Sequence, residues 1–518
     1  MNTTFVKSII GLLSLTAVGL AERSASATNL DWTTRNQWQW YGNGTHTVPP
    51  FPNNPPIVPV YHTLTDYNPV CMANDAEGSI DTGIGVYIPS TWNNRVMFWF
   101  DGGGFCFDAA SCANPSLTPA TIAADFVAGV VPAAPFTFRK SFNYTDDFLA
   151  AVNQTGGFDI NLMAIQKPEL GQGIFDHSNP ATPNPFANYL QIFVPYCTGD
   201  LHIGGSASAP THVDNANHLA GVARQPSGLT TAGLYNTTHA ISWTMAQVQA
   251  QIGGASPLVA ITGGSAGGFG SLLMYGMIRP LINASTPMVT ISDSGTPYAT
   301  GTPNSNGTAW SSVPSTSANQ GYLAFPTLVL STNNTRPGCS QYPNPTTDQC
   351  ASPTMVTYQE AWMADAWGLT TGHFPAALVK TPAGSPGPFA SMQDVLSSNI
   401  TANSPPQTGH DKFYVVDGSD DFADTWFFSM YPTGQFPTGY TGTADVGHGQ
   451  SQIISKFGTT VFHQIMVDGS GIGTLAGAIP WYKHHGFLLD DTSTWVNQLF
   501  GGTGSGIAAY LASITPAL

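Results

Sequence analysis

Short apolar runs alternate with segments of helical periodicity along the middle of the chain. Apolar runs bounded by Gly, Pro or Asn predict strands at residues 83–89, 95–100, 191–194, 258–262, 288–292 and 412–416. Helical spacing predicts helices at residues 239–252, 268–278, 355–367 and 422–430. Strands that alternate with helices are typical of a mostly parallel sheet covered on both faces. We therefore expect an α/β fold.

Three other stretches, at residues 28–80, 299–353 and 379–411, are rich in Pro, Asn, Ser and Thr. We interpret the first as a loop-rich N-terminal extension that wraps the surface. The other two are better interpreted as long loops than as domain linkers, because strands of one sheet lie on both sides of them. The chain shows no internal repeat, and residues 28–518 are expected to form a single domain.

The N-terminus has the pattern of a secretory signal. Lys7 precedes a short apolar run from Ile9 to Ala21, and Ala25-Ser26-Ala27 forms a small-x-small cleavage site. We expect residues 1–27 to be removed, with cleavage after Ala21 or retention as an anchor as the alternatives. The predicted location is extracellular, or periplasmic in a Gram-negative host. The sequence after this segment contains no run of eighteen apolar residues, so we expect no stable membrane span.

The amino-acid composition disfavours some classes of binding partner. Charged residues make up 8% of the chain, far below the usual quarter, while 12 Trp and 28 Phe indicate a packed interior rather than disorder. The formal net charge of −16 would repel nucleic acid at long range, so no nucleic-acid partner is expected. An acidic polysaccharide would meet the same repulsion.

The chain has six cysteines, an even number that suggests three disulfides in an exported protein. Spacing alone favours two local bridges and leaves one long-range bridge, although other pairings stay open. No Cys-x2-Cys pair and no His at ligand spacing accompany them, so we expect no metal site. The three pairs favoured by spacing are Cys106–Cys112, Cys339–Cys350 and Cys71–Cys197.

The strongest chemical signal is the segment from Leu258 to Gly268, LVAITGGSAGG. It contains Gly-x-Ser-x-Gly centred on Ser265, placed directly after an apolar strand and directly before a helical stretch. That strand–turn–helix setting is typical of a nucleophile elbow, in which a sharp turn exposes a reactive serine. The alternatives are an ordinary Gly-rich turn or a phosphate-binding turn. No Gly-Lys-Ser/Thr follows, and no acidic residue stands at the dinucleotide spacing.

A second glycine-rich segment follows the predicted strand 95–100. Glycines at positions 102–104 would let backbone N–H groups approach a substrate without a Cβ in the way. Such a loop after an earlier strand is where serine hydrolases bind the oxyanion of the tetrahedral intermediate. We predict that the amides of Gly103, Gly104 and Ala266 form this oxyanion hole. A plain tight turn is the alternative.

A catalytic acid and base are expected in that order after the serine. The strand 412–416 is followed by Asp417, Asp420 and Asp421, of which Asp421 is favoured, Asp420 is a close rival and helix capping is the alternative role. Among the late histidines, His448 lies in a glycine-flanked loop that suits a base. The competitors are His410, His463 in an apolar helical context, and the pair His484 and His485.

These segments together resemble the pectinacetylesterase/Notum family of secreted carboxylesterases over roughly residues 70–490. The match has departures: Asp101 and Phe105 stand where the family has Glu and Trp, and the Cys and Gln near the acid and base are partly lost. The resemblance is carried by Asp101–Cys106, Pro195–Asp200, Gly264–Gly268, Ser292–Gly295, Asp421–Asp424 and Val446–Gln450.

The resemblance implies an α/β-hydrolase fold with long disulfide-pinned loops and a Ser265–His448–Asp421 triad that needs no cofactor. It also supports the Cys71–Cys197 and Cys106–Cys112 pairings. The family cleaves O-acetyl groups from pectin in plants and a lipid acyl ester from a signalling protein in animals. We expect deacetylation of a polysaccharide, although the acidic chain suits polygalacturonate poorly. Hydrolysis of a polyester or lipid ester, or non-catalytic glycan binding on the same fold, are the alternatives.

Overall fold

The structure is a computed structural model whose described residues form one large sheet, three small ones and three α-helices. It describes residues 28–42, 60–71, 73–74, 80–102, 173–175, 177, 184, 186–196, 198–205, 211–213, 229–255, 257–295, 302–303, 310–311, 396, 411–418 and 462–467. The strands are β1 (Trp38–Gly42), β2 (Val60–Thr63), β3 (Val70–Cys71), β4 (Ala73–Asn74), β5 (Ile80–Asp81), β6 (Gly83–Tyr87), β7 (Arg95–Phe100), β8 (Leu190–Val194), β9 (Thr211–Val213), β10 (Leu229–Thr231), β11 (Leu258–Gly264), β12 (Met288–Asp293), β13 (Thr302–Pro303), β14 (Trp310–Ser311), β15 (Lys412–Gly418) and β16 (Phe462–Val467). The helices are α1 (Gly233–Ile252), α2 (Ala266–Leu273) and α3 (Tyr275–Ile278), with 3₁₀ turns at Gly173–Phe175 and Arg279–Leu281.

The large sheet has nine strands in the order β16-β15-β12-β11-β7-β8-β6-β1-β2. The six strands from β16 to β8 are parallel to their neighbours. β6 is antiparallel to both β8 and β1, and β2 is parallel to β1. The small sheets are β4-β10-β9, β13-β14 and β3-β5. The predicted α/β class with a mostly parallel sheet is confirmed.

The central strands are buried along almost their whole length. Residues 96–100, 190–194, 259–264 and 288–293 are all buried, which explains why stretches such as VMFWF at 96–100 and VAI at 259–261 are continuously apolar rather than alternating. Helix α2 packs against β11, β12 and β7, and α1 lies near β8. Because the parallel strands all point the same way, their carboxyl ends lie at one edge of the sheet.

Helix α1 begins without a capping side chain of its own. Instead, the N–H of Gly233 donates to Oδ2 of Asp200 at 2.9 Å, so a carboxylate from a distant loop satisfies the helix terminus and complements its dipole. The helix ends where Gly253 adopts a left-handed conformation with φ 65°. The Asp200 loop and the start of α1 are therefore fixed to each other.

Further along, α1 holds the N-terminal segment. The side chain of Asn236 donates to the carbonyl of Val70 at 2.7 Å and accepts from its N–H at 3.1 Å. The indole of Trp243 donates to Asp66 Oδ2 and to the Thr28 carbonyl, both at 3.0 Å. The N–H of Thr28 also donates to Asp66 Oδ2, at 2.9 Å. Thr28, Asp66 and Val70 are thus held together around the same helix that contacts the Asp200 loop.

A buried ion pair joins β15 to the segment after α3. Arg279 Nε lies 3.0 Å from Asp411 Oδ2, and both side chains are at most 2% exposed. The carboxylate also accepts from the Tyr275 hydroxyl at 2.7 Å and from the Met288 N–H at 3.2 Å. Because each charge is compensated by a partner and by further hydrogen bonds, the pair tolerates burial. It fixes the start of β15 beside the start of β12.

Six predicted strands and two predicted helices are confirmed, as β6, β7, β8, β11, β12 and β15 and as α1 and the α2–α3 pair. The predicted helices at 355–367 and 422–430 lie outside the described residues. No helix within the described ranges is long and apolar enough to cross a membrane.

Two predictions differ from the structure. Trp38–Gly42, placed in a surface-wrapping extension, forms a strand inside the large sheet with all five residues buried. His463, assigned to a helical context, lies on β16 opposite Tyr414. A run of six residues such as FHQIMV is too short to distinguish helix from strand by periodicity, and parallel pairing with β15 decides the outcome here.

Candidate active site

Ser265 lies at the turn between β11 and α2, at the carboxyl edge of the sheet. Its backbone has φ 54° and ψ −121°, a conformation that residues with a side chain rarely adopt. The Ser265 N–H donates to the Asp293 carbonyl of the neighbouring strand at 2.7 Å, and its own carbonyl accepts from Phe269 at 3.1 Å. Between residues 259 and 275, Ser265 alone is not buried. The strand–turn–helix context expected of a nucleophile elbow is therefore present.

The glycine at 267 is required by the closeness of α2 to β7. A Cβ added to Gly267 would overlap the carbonyl of Phe100. Without a side chain there, the first turn of α2 packs directly on the end of β7. Ala266 is the first residue of that helix, so its N–H has no acceptor within the helix. This is the position at which an oxyanion donor is predicted.

Gly102 brings the other glycine-rich segment to the same place. A Cβ on Gly102 would lie 2.7 Å from the Gly264 carbonyl oxygen and 3.1 Å from Ser265 Cβ. The residue before it, Asp101, is held by a hydrogen bond from its N–H to the Val194 carbonyl at 3.0 Å. The first glycine of the segment thus contacts the serine turn, and the predicted donors Gly103 and Gly104 follow directly in sequence. Both lie outside the described residues.

The predicted acid and base are not among the described residues. Asp421 comes three residues after β15 ends at Gly418, and β15 is separated from β11 only by β12. The chain therefore leaves β15 at the same edge of the large sheet as Ser265, and Asp420 and Asp421 follow in sequence. His448 belongs to the connection between β15 and β16. Both roles stay predictions, as do the competing roles of His410, His484 and His485.

A loop after β8 contributes two buried polar residues that the sequence analysis missed. Asp200 is fully buried and accepts hydrogen bonds from Thr198 Oγ1 at 2.5 Å and from the N–H groups of His202 at 3.2 Å and Gly233 at 2.9 Å. Burial raises the pKa of this carboxyl to about 6, although the three hydrogen bonds act in the opposite direction. A neutralising cation is not needed for a carboxyl that receives this many donors.

His202 is the second of these residues, and it lies behind the glycine-rich segment. Its Nε2 is 2.9 Å from the carbonyl oxygen of Asp101, and its side chain is 1% exposed. Burial lowers the pKa of His202 to about 4, partly opposed by this hydrogen bond. The Pro195–Asp200 segment, which carries part of the family resemblance, ends two residues before His202. This closeness in sequence is the feature that could have identified His202.

The predicted disulfides are not tested by the described residues. Cys71 lies on β3, where its backbone pairs with Ile80, and the other five cysteines lie outside the described ranges. Within those ranges, no three His, Cys, Asp or Glu side chains are close enough to hold a metal ion.

Comparison with known proteins gave similarity at the level of solved structures. No family model matches the chain, and no curated protein matches it. Two structures of the Wnt deacylase Notum from Drosophila align with it. One has 14% identity and a TM-score of 0.39 over 77% of this chain and 83% of that one. The other has 13% identity and a TM-score of 0.41 over 86% of this chain and 94% of that one. The fold assignment rests on the parallel sheet and the Ser265 turn themselves.

Proposed function

We propose that this chain is a secreted serine carboxylic ester hydrolase with Ser265 as its nucleophile. The observation that supports this best is the conformation of Ser265. It is a strained, partly exposed serine between a buried parallel strand and a helix N-terminus, with a glycine-rich backbone segment in contact with it. Strain of this kind persists where surrounding contacts enforce it, and it is typical of active sites.

The proposed reaction is a two-step acyl transfer. His448 takes the proton from Ser265 as the serine oxygen attacks the ester carbonyl, and Asp421 orients His448 and stabilises its imidazolium. The tetrahedral intermediate then breaks its bond to the ester alkoxide, which takes the proton from His448 and leaves as the alcohol, so that an acyl-Ser265 ester remains. Water then attacks the acyl-enzyme, with His448 as base again, and the carboxylic acid leaves. The sequence places both residues after Ser265 in the order typical of α/β hydrolases.

The amides of Gly103, Gly104 and Ala266 are proposed to bind the oxyanion. Each donor of this type contributes about 3 kcal/mol to transition-state stabilisation in comparable enzymes. The contact of Gly102 with Ser265 supports this assignment, because it brings the segment that carries two of the donors to the serine turn. The proposed chemistry uses only side chains and backbone groups of the chain.

The proposed substrate is an acetylated polysaccharide of low charge. The net charge of −16 disfavours a polyanionic chain such as polygalacturonate. A polyester or a lipid ester is the second candidate, favoured by the aromatic-rich composition with only 8% charged residues. Initial rates on acetylated xylan, acetylated pectin and a polyester film, together with p-nitrophenyl esters of increasing acyl length, distinguish these substrates.

Ser265→Ala tests the reaction itself. We expect at least a thousandfold loss of turnover of p-nitrophenyl acetate, and loss of labelling by a fluorophosphonate probe. Ser271→Ala is the matched control, because Ser271 lies buried in α2, the helix that follows Ser265, with its hydroxyl bonded to the Gly268 carbonyl at 2.8 Å. If Ser265→Ala keeps wild-type turnover, the proposed mechanism is wrong. If no ester is hydrolysed by the wild type, the non-catalytic glycan-binding alternative is favoured.

A further inference from the structure

The imidazole of His202 is enclosed by the parts of the fold that form the candidate site. Its ring stacks on Phe100, the last residue of β7, with centroids 5.2 Å apart, and lies tilted against the ring of Tyr196 with centroids 4.7 Å apart. Helix α2 covers it from another side, since a Cβ on Gly270 would lie 3.1 Å from His202 Cβ. His202 is therefore in contact with both the strand before the glycine-rich segment and the helix after Ser265.

The hydrogen bond to Asp101 defines the tautomer of the His202 imidazole. A backbone carbonyl only accepts hydrogen bonds, so Nε2 must carry the proton in the 2.9 Å contact with the Asp101 oxygen. Because burial lowers the pKa of His202 to about 4, the ring is neutral at neutral pH and places no charge behind the site.

The backbone around His202 is itself held in a rare conformation. Leu201 and His202 have φ of 54° and 63°, consecutive left-handed values at two residues with side chains. Hydrogen bonds compensate: the Leu201 N–H donates to the Tyr196 hydroxyl at 2.8 Å, and the His202 N–H donates to Asp200 Oδ1 at 3.2 Å. Asp200 is in turn fixed to the start of α1. The loop thus holds the imidazole in a single position.

We propose that His202 is a positioning residue for the esterase reaction: its Nε2–H holds the Asp101 carbonyl and thereby fixes the backbone that brings Gly102 beside Ser265. Asp101 is then anchored at both backbone groups, through its N–H to Val194 and through its oxygen to His202. The next residue contacts Ser265 directly. This inference rests on the proposed function, and it adds a residue that touches neither substrate nor serine.

The expected effect is on the transition state rather than on substrate binding. An oxyanion hole acts on charge that develops during the reaction, so misplaced donors lower kcat more than they raise KM. Loss of one donor lowers kcat by about 100- to 1,000-fold in comparable enzymes, and displacement by about 1 Å has a similar scale of effect. For His202→Phe, which keeps the stacked ring and removes the donor, we expect kcat to fall about 10- to 100-fold with KM within about threefold.

The matched control is His239→Phe. His239 also packs against aromatic rings, those of Tyr67 and Tyr235, and its Nδ1 also bonds a backbone carbonyl, that of Tyr235 at 2.9 Å. These contacts lie within α1 and the N-terminal segment rather than at Asp101, so we expect kcat to stay within about twofold while thermal stability falls. A second readout is the affinity for phenylboronic acid, whose tetrahedral serine adduct mimics the intermediate. It should fall in parallel with kcat in His202→Phe and stay unchanged in His239→Phe.

A second pair of variants covers the case in which His202→Phe does not fold. The amide nitrogen of Gln reaches about as far as Nε2 of His, whereas that of Asn does not. We expect His202→Gln to retain most of kcat and His202→Asn to lose it. Equal kcat in these two variants, or equal kcat in His202→Phe and His239→Phe, would overturn the positioning role. An active Ser265→Ala would instead overturn the proposed function, whatever the His202 variants show.

Discussion

Replacing Ser265 by glycine is expected to make the protein more stable than replacing it by alanine. Both variants remove the hydroxyl, so they differ only in the Cβ and in the freedom of the backbone. At φ 54° and ψ −121°, a residue with a Cβ carries a strain of about 1 to 3 kcal/mol. Glycine relieves this strain but loses about 0.5 to 1 kcal/mol in conformational entropy on folding. The difference favours Ser265→Gly by about 1 kcal/mol.

Ser271 provides the comparison of opposite sign. It lies within α2, is not among the described residues with a left-handed backbone, and loses the same hydroxyl in both of its variants. There, Ser271→Gly is expected to be about 1 kcal/mol less stable than Ser271→Ala, the ordinary helix preference. The turn residue Ser265 and the helix residue Ser271 should therefore rank glycine and alanine in opposite order.

Equilibrium urea unfolding followed by tryptophan fluorescence measures both pairs. Urea is preferable to heating, because a chain of 518 residues has a large unfolding entropy and its Tm shifts little per kcal/mol. The midpoint at constant m-value gives the difference in free energy of unfolding. If glycine is the less stable replacement at both positions, the Ser265 turn is not strained and its conformation does not distinguish it from an ordinary turn.

Three further predictions concern the packing of Gly102, the buried Arg279–Asp411 ion pair and the titration of His202. Gly102→Ala places a Cβ 3.1 Å from Ser265 Cβ, and kcat for p-nitrophenyl acetate should fall at least about tenfold, so wild-type kcat would contradict the packing of the segment. Arg279→Met leaves the buried charge of Asp411 without its cation and should lower the free energy of unfolding in urea by about 3 to 5 kcal/mol. A loss below about 1 kcal/mol would show that the pair is not buried. Because the pKa of His202 is lowered, the folded state protonates this ring only below about pH 4, whereas the unfolded state protonates it below about pH 6.5. The stability that the neutral ring contributes is therefore present above pH 6.5 and is lost as the pH falls towards 4. The stability difference between wild type and His202→Phe should therefore shrink by about 3 kcal/mol between pH 7 and pH 4, and a constant difference would refute the depressed pKa.

The central sheet and the serine turn are predictable from the sequence because local pattern and tertiary environment agree there. A strand buried on both faces needs a continuous apolar run, as in β7 and β11. The turn at Ser265 needs glycines where α2 approaches β7, and glycine is the residue that leaves the Phe100 carbonyl room. The residues that identify this turn are therefore consecutive in the sequence.

The missed features depend on contacts between residues far apart in the chain. β1 has only five residues in a Pro- and Asn-rich region, and its place in the sheet comes from pairing with β6 and β2. His463 lies in a short run that pairs with β15, a partner about fifty residues earlier. The role proposed for His202 depends on its hydrogen bond to Asp101, one hundred and one positions away. Periodicity within a window carries no information about such partners.

Helix α1 links the N-terminal segment to the loop that holds Asp101. The helix bonds Asp200 at its first amide, Val70 through Asn236, and Asp66 through Trp243. A chain shortened to begin after residue 70 would keep every residue of the proposed catalytic machinery. It would nevertheless lose the partners of Asn236 and Trp243 on the helix whose first amide binds Asp200. A shortened version of the protein therefore has to keep residues to which no chemistry is assigned.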